Sequence, residues 1–288
     1  MGYNIIPEDT TRRLQQISMT MLLFFDEFCE KHGLLYFLCG GCCIGTIRHG
    51  GFIPWDDDVD IFMPRSDYEK LKHLWKDTEK YEIEYASESC RCYSTLTRIN
   101  DKDTTFISTY TKDLDTSHGV AMDIFPLDGC PTGIERKKQK IWALLYSLYV
   151  VENAPTNHGK IVELIGKIGL GLVPTWALKC KVWKFCEKQM SKYSIADCNY
   201  ITELCAGPGY MKNEYPKEAF LKPVRKSFEG HMLPIPNGYD TYLKMAFGDY
   251  LKLPPIEKRV AHHEYELIDL DNGYRKYRGV KYFTKKQR

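Results

Sequence analysis

The sequence predicts a mixed α/β core followed by a helical block. Three observations carry this expectation. The chain opens on an apolar stripe at helical spacing, continues through short apolar runs broken by glycines, and turns helical from about residue 134 to residue 190. In the first helix Leu14, Ile17, Met21, Phe25 and Phe28 recur every three or four residues. Asp9 is placed to cap it, and Lys31-His32-Gly33 reads as its end, basic residues followed by glycine. Residues 34–39 are a continuous apolar run, short enough for a buried strand, and Gly40-Gly41 breaks it. A short helical segment follows over 42–49. A strand then carries the acidic run 56–60, and Ser66 with Glu69 forms a capping box that opens a helix to about residue 75. Further strands are expected over 81–86, 93–100 and 119–125, the last closed by Pro126-Leu127-Asp128-Gly129. From Gly207 the chain is rich in Pro, Gly and Tyr and reads as irregular. The expected division is a core at 1–130, a helical block at 131–206 and a C-terminal segment at 207–288 that packs on the core and binds substrate.

Composition narrows the function classes. Hydrophobic residues make up 43% and charged residues 27% of 288, the balance of a globular protein. A formal net charge of +2 gives no global pull toward nucleic acid, so none is expected as a partner. Eleven cysteines without a leading signal pattern point to reduced thiols in a cytoplasm, and neither Cys90/Cys92 nor Cys198/Cys205 has a convincing zinc spacing. The most apolar stretch, 161–178, contains Glu163, Lys167, Gly169, Gly171 and Pro174, which argues against a bilayer-spanning helix. Over 176–192, Trp176, Val182, Trp183 and Phe185 alternate with five lysines. That pattern suits either a peripheral membrane contact or an ordinary helix with a solvated basic face.

The chemistry lies in the carboxylates. Side chains two apart share one face of a strand, so Asp58 and Asp60 form a working face while Asp57, Val59 and Ile61 turn the other way. Two carboxylates about 6 Å apart repel by roughly 3 kcal/mol at an effective dielectric of 20. Nothing in the adjacent sequence neutralises them, and a divalent cation with oxygen ligands, Mg²⁺ or Mn²⁺, does so. Asp123 is an acid inside an apolar strand and needs a cation or a partner such as Arg98. Gly40-Gly41, between a strand and a helix start, offers backbone amides to a phosphate. Arg48 and Arg98 are candidates for phosphate oxygens, and Trp55 for the core or a nucleotide.

These residues resemble the LicD family. The resemblance rests on Gly40-Gly41, on the run from Arg48 to Ile61 that contains Ile53-Pro54-Trp55-Asp56-Asp57-Asp58, on Asp67-Tyr68, and on Met122 to Gly129. It extends to Pro236-Asn237-Gly238-Tyr239-Asp240, Phe247-Gly248-Asp249-Tyr250 and Pro254-Pro255. It implies a nucleotidyltransferase fold of the polymerase-β-like kind, with catalytic and metal residues at Asp58, Asp60 and Asp123. It further implies transfer of phosphocholine from CDP-choline to a hydroxyl of a bacterial cell-envelope glycan, free or lipid-linked, at the inner face of the membrane. The glycan could be teichoic acid, lipopolysaccharide or capsule. CDP-linked ribitol phosphate or phosphoethanolamine, a nucleotide-sugar-forming reaction and a non-catalytic nucleotide-binding module are the rivals. The ring-rich C-terminal third, with Tyr210, Tyr215, Tyr239, Tyr242, Phe247 and Tyr250, favours a quaternary ammonium headgroup.

Overall fold

The computed structural model describes residues 6–154, 159–261 and 263–284. The chain divides into two compact units. The first comprises Met1–Glu84, Arg98–Ile124 and Leu221–Arg288, the second Tyr85–Thr97 and Phe125–Phe220.

In the first unit, α1 (Glu8–His32) buries Leu14, Met21, Leu22 and Phe25 along one stripe. It ends where Gly33 takes a left-handed conformation, φ 62°, and returns its N–H to Cys29 and Glu30. Its N-cap is Pro7, with Asp9 inside the first turn, where an acid meets the positive end of the helix dipole. β1 is shorter than expected, Phe37–Leu38, and pairs antiparallel with β2 (Val59–Pro64), Leu38 opposite Ile61. α2 (Gly40–Arg48) begins at the glycine pair itself. α3 (Arg65–Leu74) starts after Pro64 without a side-chain cap, so Ser66 and Glu69 form no capping box. Pro64 presets the entry angle and displaces the serine by two positions.

The sheet order in this unit is β1, β2, β6, β4 (Thr97–Asp101), β3 (Tyr81–Glu84). β5 (Thr105–Ser108), which the sequence pattern does not announce, pairs with β11 (Tyr265–Asp269). The C-terminal stretch expected to be irregular holds a hairpin of β9 (Pro223–Phe228) and β10 (His231–Pro236), then α7 (Tyr239–Phe247). The hairpin turn is Glu229-Gly230, both at positive φ, the two-residue geometry that matches strand twist.

β6 (Val120–Cys130) runs on through Pro126, where a strand end was expected. Its first half carries Asp123. Its second half, from Leu127 to Cys130, pairs with β7 (Tyr200–Glu203), which pairs in turn with β8 (Tyr215–Pro216). Pro126 falls just before that second ladder and outside its register, so its missing N–H costs no bond there.

The second unit is built on α4 (Gly133–Val151), α5 (Lys160–Leu172) and α6 (Trp176–Met190). Cys180, Trp183, Cys186 and Met190 of α6 are buried with Ala143, Tyr146 and Leu204 in its core. Part of the apolar side of the 176–192 segment is therefore core, while Leu178 and Phe185 stay 47 and 52% exposed. Arg136 is buried and satisfied by Glu214, Gln139, Thr202 and the Met211 carbonyl. Among the described residues no single helix is long and apolar enough to cross a membrane.

Candidate active site

The antiparallel pairing of β1 with β2 sets the site. It brings the Cys39 N–H to the Asp60 carbonyl at 3.1 Å and so lays the start of α2 beside the acidic strand. Gly40 has φ +52°, which L side chains rarely adopt, and a Cβ there stands 3.3 Å from Asp60 Oδ2. A Cβ on Gly41 falls 2.1 Å from Asp56 Oδ2. The pair is glycine because helix and acids meet backbone to carboxylate. The Gly40 N–H is already engaged, donating to the Tyr242 hydroxyl at 3.0 Å, so this amide does not face outward for a phosphate.

Asp56, Asp57 and Asp58 precede β2 in a loop rather than lying within the strand. Gln15 of α1 holds that loop, donating to the Ile53 and Asp56 carbonyls at 3.1 and 2.8 Å. Val59 and Ile61 are fully buried, and Asp60 between them is half-buried, as strand alternation requires. Carboxylate oxygens of Asp56, Asp57 and Asp58 lie within 4.8 Å of one another. Burial raises the pKa of Asp56 well above the usual carboxylate range, with Asp58 and Asp57 adding to it. Burial likewise lifts Asp58 to about 6. Asp60 is pushed well up by burial, then by Asp58 and Asp123. Oδ2 of Asp56 and of Asp57 are buried with no hydrogen-bond partner among the described residues. Crowded hard-oxygen donors, orphaned atoms and mutual repulsion fit a divalent cation.

Asp123 stands on the first half of β6 and is paired with Arg98 of β4, Nε to Oδ1 at 2.8 Å. The salt bridge weighed for Asp123 is thus present, and Arg98 meets this carboxylate rather than standing free for a ligand. Arg48 donates to the Tyr250 and Lys252 carbonyls at 2.9 and 3.4 Å and fastens the end of α2 to the C-terminal segment. Trp55 lies edge-on to His49 at 6.3 Å and beneath the Arg259 guanidinium at 5.6 Å. Its face is taken by a cation.

The structure adds His263. Its Nδ1 lies 3.1 Å from Asp57 Oδ1 and its Nε2 3.7 Å from Asp58 Oδ2. The Asp57 hydrogen bond raises the imidazole to about 9, so Nδ1 donates to Asp57. Asp57 does not turn away from Asp58 as strand alternation predicts, because the two stand in a loop and their carboxylates gather in one cluster. Asp57, Asp58, Arg98, Asp123 and His263 share a cleft of about 280 Å³. His263 lies 206 residues from Asp57, and no spacing in the sequence announces it. Gln15 hides within the apolar stripe of α1 for the same reason.

Among the rings named for an ammonium headgroup, Tyr242 meets Phe247 edge-on at 6.2 Å. Tyr242 is buried against Gly40, Tyr215 is buried on Glu203 and Asn213 in the second unit, and Asp240 is taken by Lys244 and Tyr250.

Residues 33–143 match the family described as LicD/FKTN/FKRP, nucleotidyltransferase domain. The lipopolysaccharide cholinephosphotransferase LicD of Haemophilus influenzae is 32% identical over 271 residues, 88% of this chain and 96% of the relative. An uncharacterized protein of Rickettsia prowazekii is 31% identical over 75 residues, 25% of this chain and 28% of that protein. With its acidic loop and strand set beside a glycine-led helix on a mixed sheet, the chain belongs to the LicD family.

Proposed function

We propose that this protein is a metal-dependent transferase. It moves phosphocholine from CDP-choline to a hydroxyl of a cell-envelope glycan and releases CMP. The observation that carries the reading is the crowded carboxylate group at the start of β2, raised by burial and mutual repulsion despite His263 beside it, in a chain that matches nearly the whole length of a cholinephosphotransferase.

Asp58, Asp60 and Asp123 would hold Mg²⁺ or Mn²⁺, with Asp56 close by. Bound there, the cation supplies positive charge to the donor's phosphate oxygens. The chain's own residues do the rest. Asp123 orients the acceptor hydroxyl and takes its proton at a carboxylate oxygen, which requires its Arg98 partner to yield. The freed guanidinium then faces the donor phosphate. His263 keeps a proton on Nδ1 and fixes Asp57, which steadies the loop bearing Asp58. Gly40 and Gly41 keep the start of α2 against the acids, with the positive end of the helix turned toward them. Activated nucleotides are cytoplasmic, so the proposed place of action is the inner face of the membrane.

The test is CMP release from CDP-choline, CDP-ethanolamine and CDP-ribitol, each with Mg²⁺ and a crude envelope-glycan acceptor. CDP-choline should be turned over fastest. Turnover of CDP-ribitol alone overturns the headgroup, and release of pyrophosphate instead of CMP overturns the reaction class.

A further inference from the structure

α5 presents its apolar stripe to solvent. Ile161, Leu164, Ile165, Ile168 and Leu172 fall within a 100° sector of the helix at 100° per residue. They are 76, 58, 64, 55 and 76% exposed. The opposite side is the one that meets the protein. Gly166 is buried, a Cβ on Gly169 lies 3.3 Å from Leu148 of α4, and the Tyr149 hydroxyl donates to the Gly169 carbonyl at 3.1 Å. Gly166, Gly169 and Leu170 thus make the inner side while the five-residue stripe is left outside, the reverse of a surface helix in a soluble fold.

Charge selects the occupant. Residues 160–192 hold seven lysines against two glutamates and no aspartate. Lys160 and Lys167 fall along one flank of the α5 stripe. Lys160, Lys181 and Lys188 have no acid partner within 4 Å among the described residues. An apolar stripe edged by lysine fits a surface that is apolar within and anionic at its rim. A helix of 13 residues is about 20 Å long, too short for the roughly 30 Å hydrocarbon core of a bilayer, and α6 leaves it at a bend of 117°.

We propose that α5 docks the protein on an anionic lipid bilayer, lying in the plane of the interface with Ile161, Leu164, Ile165, Ile168 and Leu172 among the acyl chains. α6 follows as a buttress anchored in the protein core through Cys180, Trp183, Cys186 and Met190. This surface lies outside the acidic site, and its occupancy is read without substrate, so it stands or falls separately from the choline reaction.

The experiment is sedimentation of the full-length protein with sucrose-loaded vesicles. One set is an equal mixture of phosphatidylglycerol and phosphatidylcholine, the other phosphatidylcholine alone, at low salt. Ile165→Glu/Ile168→Glu is compared with wild type, and Ile165→Ala/Ile168→Ala serves as the milder variant, which keeps the helix-forming tendency. Circular dichroism and CMP release with a soluble glycan acceptor report that the fold and site survive. The expected result is binding to the anionic vesicles, weakened at least about tenfold by the glutamate pair, less by the alanine pair, and lessened by salt. Absence of binding at low salt overturns the proposal. Equal binding by all three proteins overturns it too, since the contact then lies elsewhere. If wild type binds no vesicle but elutes as a dimer that the glutamate pair converts to monomer, the patch is covered by a second copy and the proposal fails.

Discussion

Replacing Gly41 by alanine tests whether the glycine pair exists to admit the acids. The added Cβ stands 2.1 Å from Asp56 Oδ2, 3.0 Å from its Cγ and 3.3 Å from its Oδ1. Carbon and oxygen do not approach comfortably below about 3.4 Å, so the carboxylate must retreat by more than an ångström. It has little freedom to do so. Its backbone N–H is bonded to the Ile53 carbonyl at 2.9 Å, its own carbonyl accepts from Gln15 at 2.8 Å, and its side chain is buried. Overpacking of this kind costs about 1–3 kcal/mol. Against it stands the helix preference of alanine over glycine, up to about 1 kcal/mol. The net expectation is a loss of roughly 1–2 kcal/mol, or about 2–8 °C in melting temperature at this chain length. CMP release should fall as well, because Asp56 is displaced within the acidic cluster it shares with Asp57 and Asp58. The assay is a thermal melt in chelator beside a turnover measurement, repeated in an Asp56→Ala background where the clash is gone. There Gly41→Ala should become neutral or stabilising. An equal penalty in both backgrounds refutes the steric argument.

Other expectations follow from the same coordinates. Chelation should abolish CMP release and Mg²⁺ restore it, and Asp60→Asn or Asp123→Asn should lower turnover by about 10²-fold or more; full turnover in excess EDTA removes the metal reading. Asp57→Asn should cost about 1.5–3 kcal/mol in denaturant unfolding, since it deprives His263 of a charged acceptor, and a wild-type midpoint would remove that role. Glu203 is 4% exposed and burial holds its pKa at about 7, against 4.5 for a free glutamate. The folded state keeps a proton that the unfolded chain has released, so this residue lowers stability as pH rises from about 4.5 to about 7, by up to about 3 kcal/mol. Glu203→Gln should flatten urea midpoints between pH 5 and 8, and an unchanged slope would locate the dependence elsewhere.

Much of the first unit could be read directly from residue order. The stripe of α1, its stop at Gly33 and the alternation of Val59, Asp60 and Ile61 are local patterns with a single spatial meaning. The acids, the glycine pair and Asp123 stood out for the same reason: charge and glycine inside apolar runs contradict their surroundings. What escaped depended on partners far away in sequence. His263 carries no local oddity, and only the fold brings it to Asp57. Arg98 could be named as a partner for Asp123, but its availability depended on geometry. The hairpin at Glu229-Gly230 was missed because Pro223, Arg225, Lys226 and Pro234 blur strand alternation. The basic helix at 176–192 stayed open between a membrane contact and an ordinary solvated helix, because amphipathicity states that a face is apolar without stating what covers it. The uncovered stripe belongs to the neighbouring helix, whose inner side is Gly166, Gly169 and Leu170.

The bond between His263 and Asp57 closes a loop of 206 residues, and that between Gly40 and Tyr242 one of 202. At a ribosomal pace of roughly 5–20 residues per second, the aspartates leave the ribosome about 10–40 seconds before the histidine that fastens one of them. Through that interval the nascent chain carries its acidic cluster without the C-terminal strap. The centre is therefore among the last parts of the protein to be assembled, and contacts of such span are slow to form. A chain released early, before His263 is added, lacks both the imidazole partner of Asp57 and the strand β11 that pairs with β5.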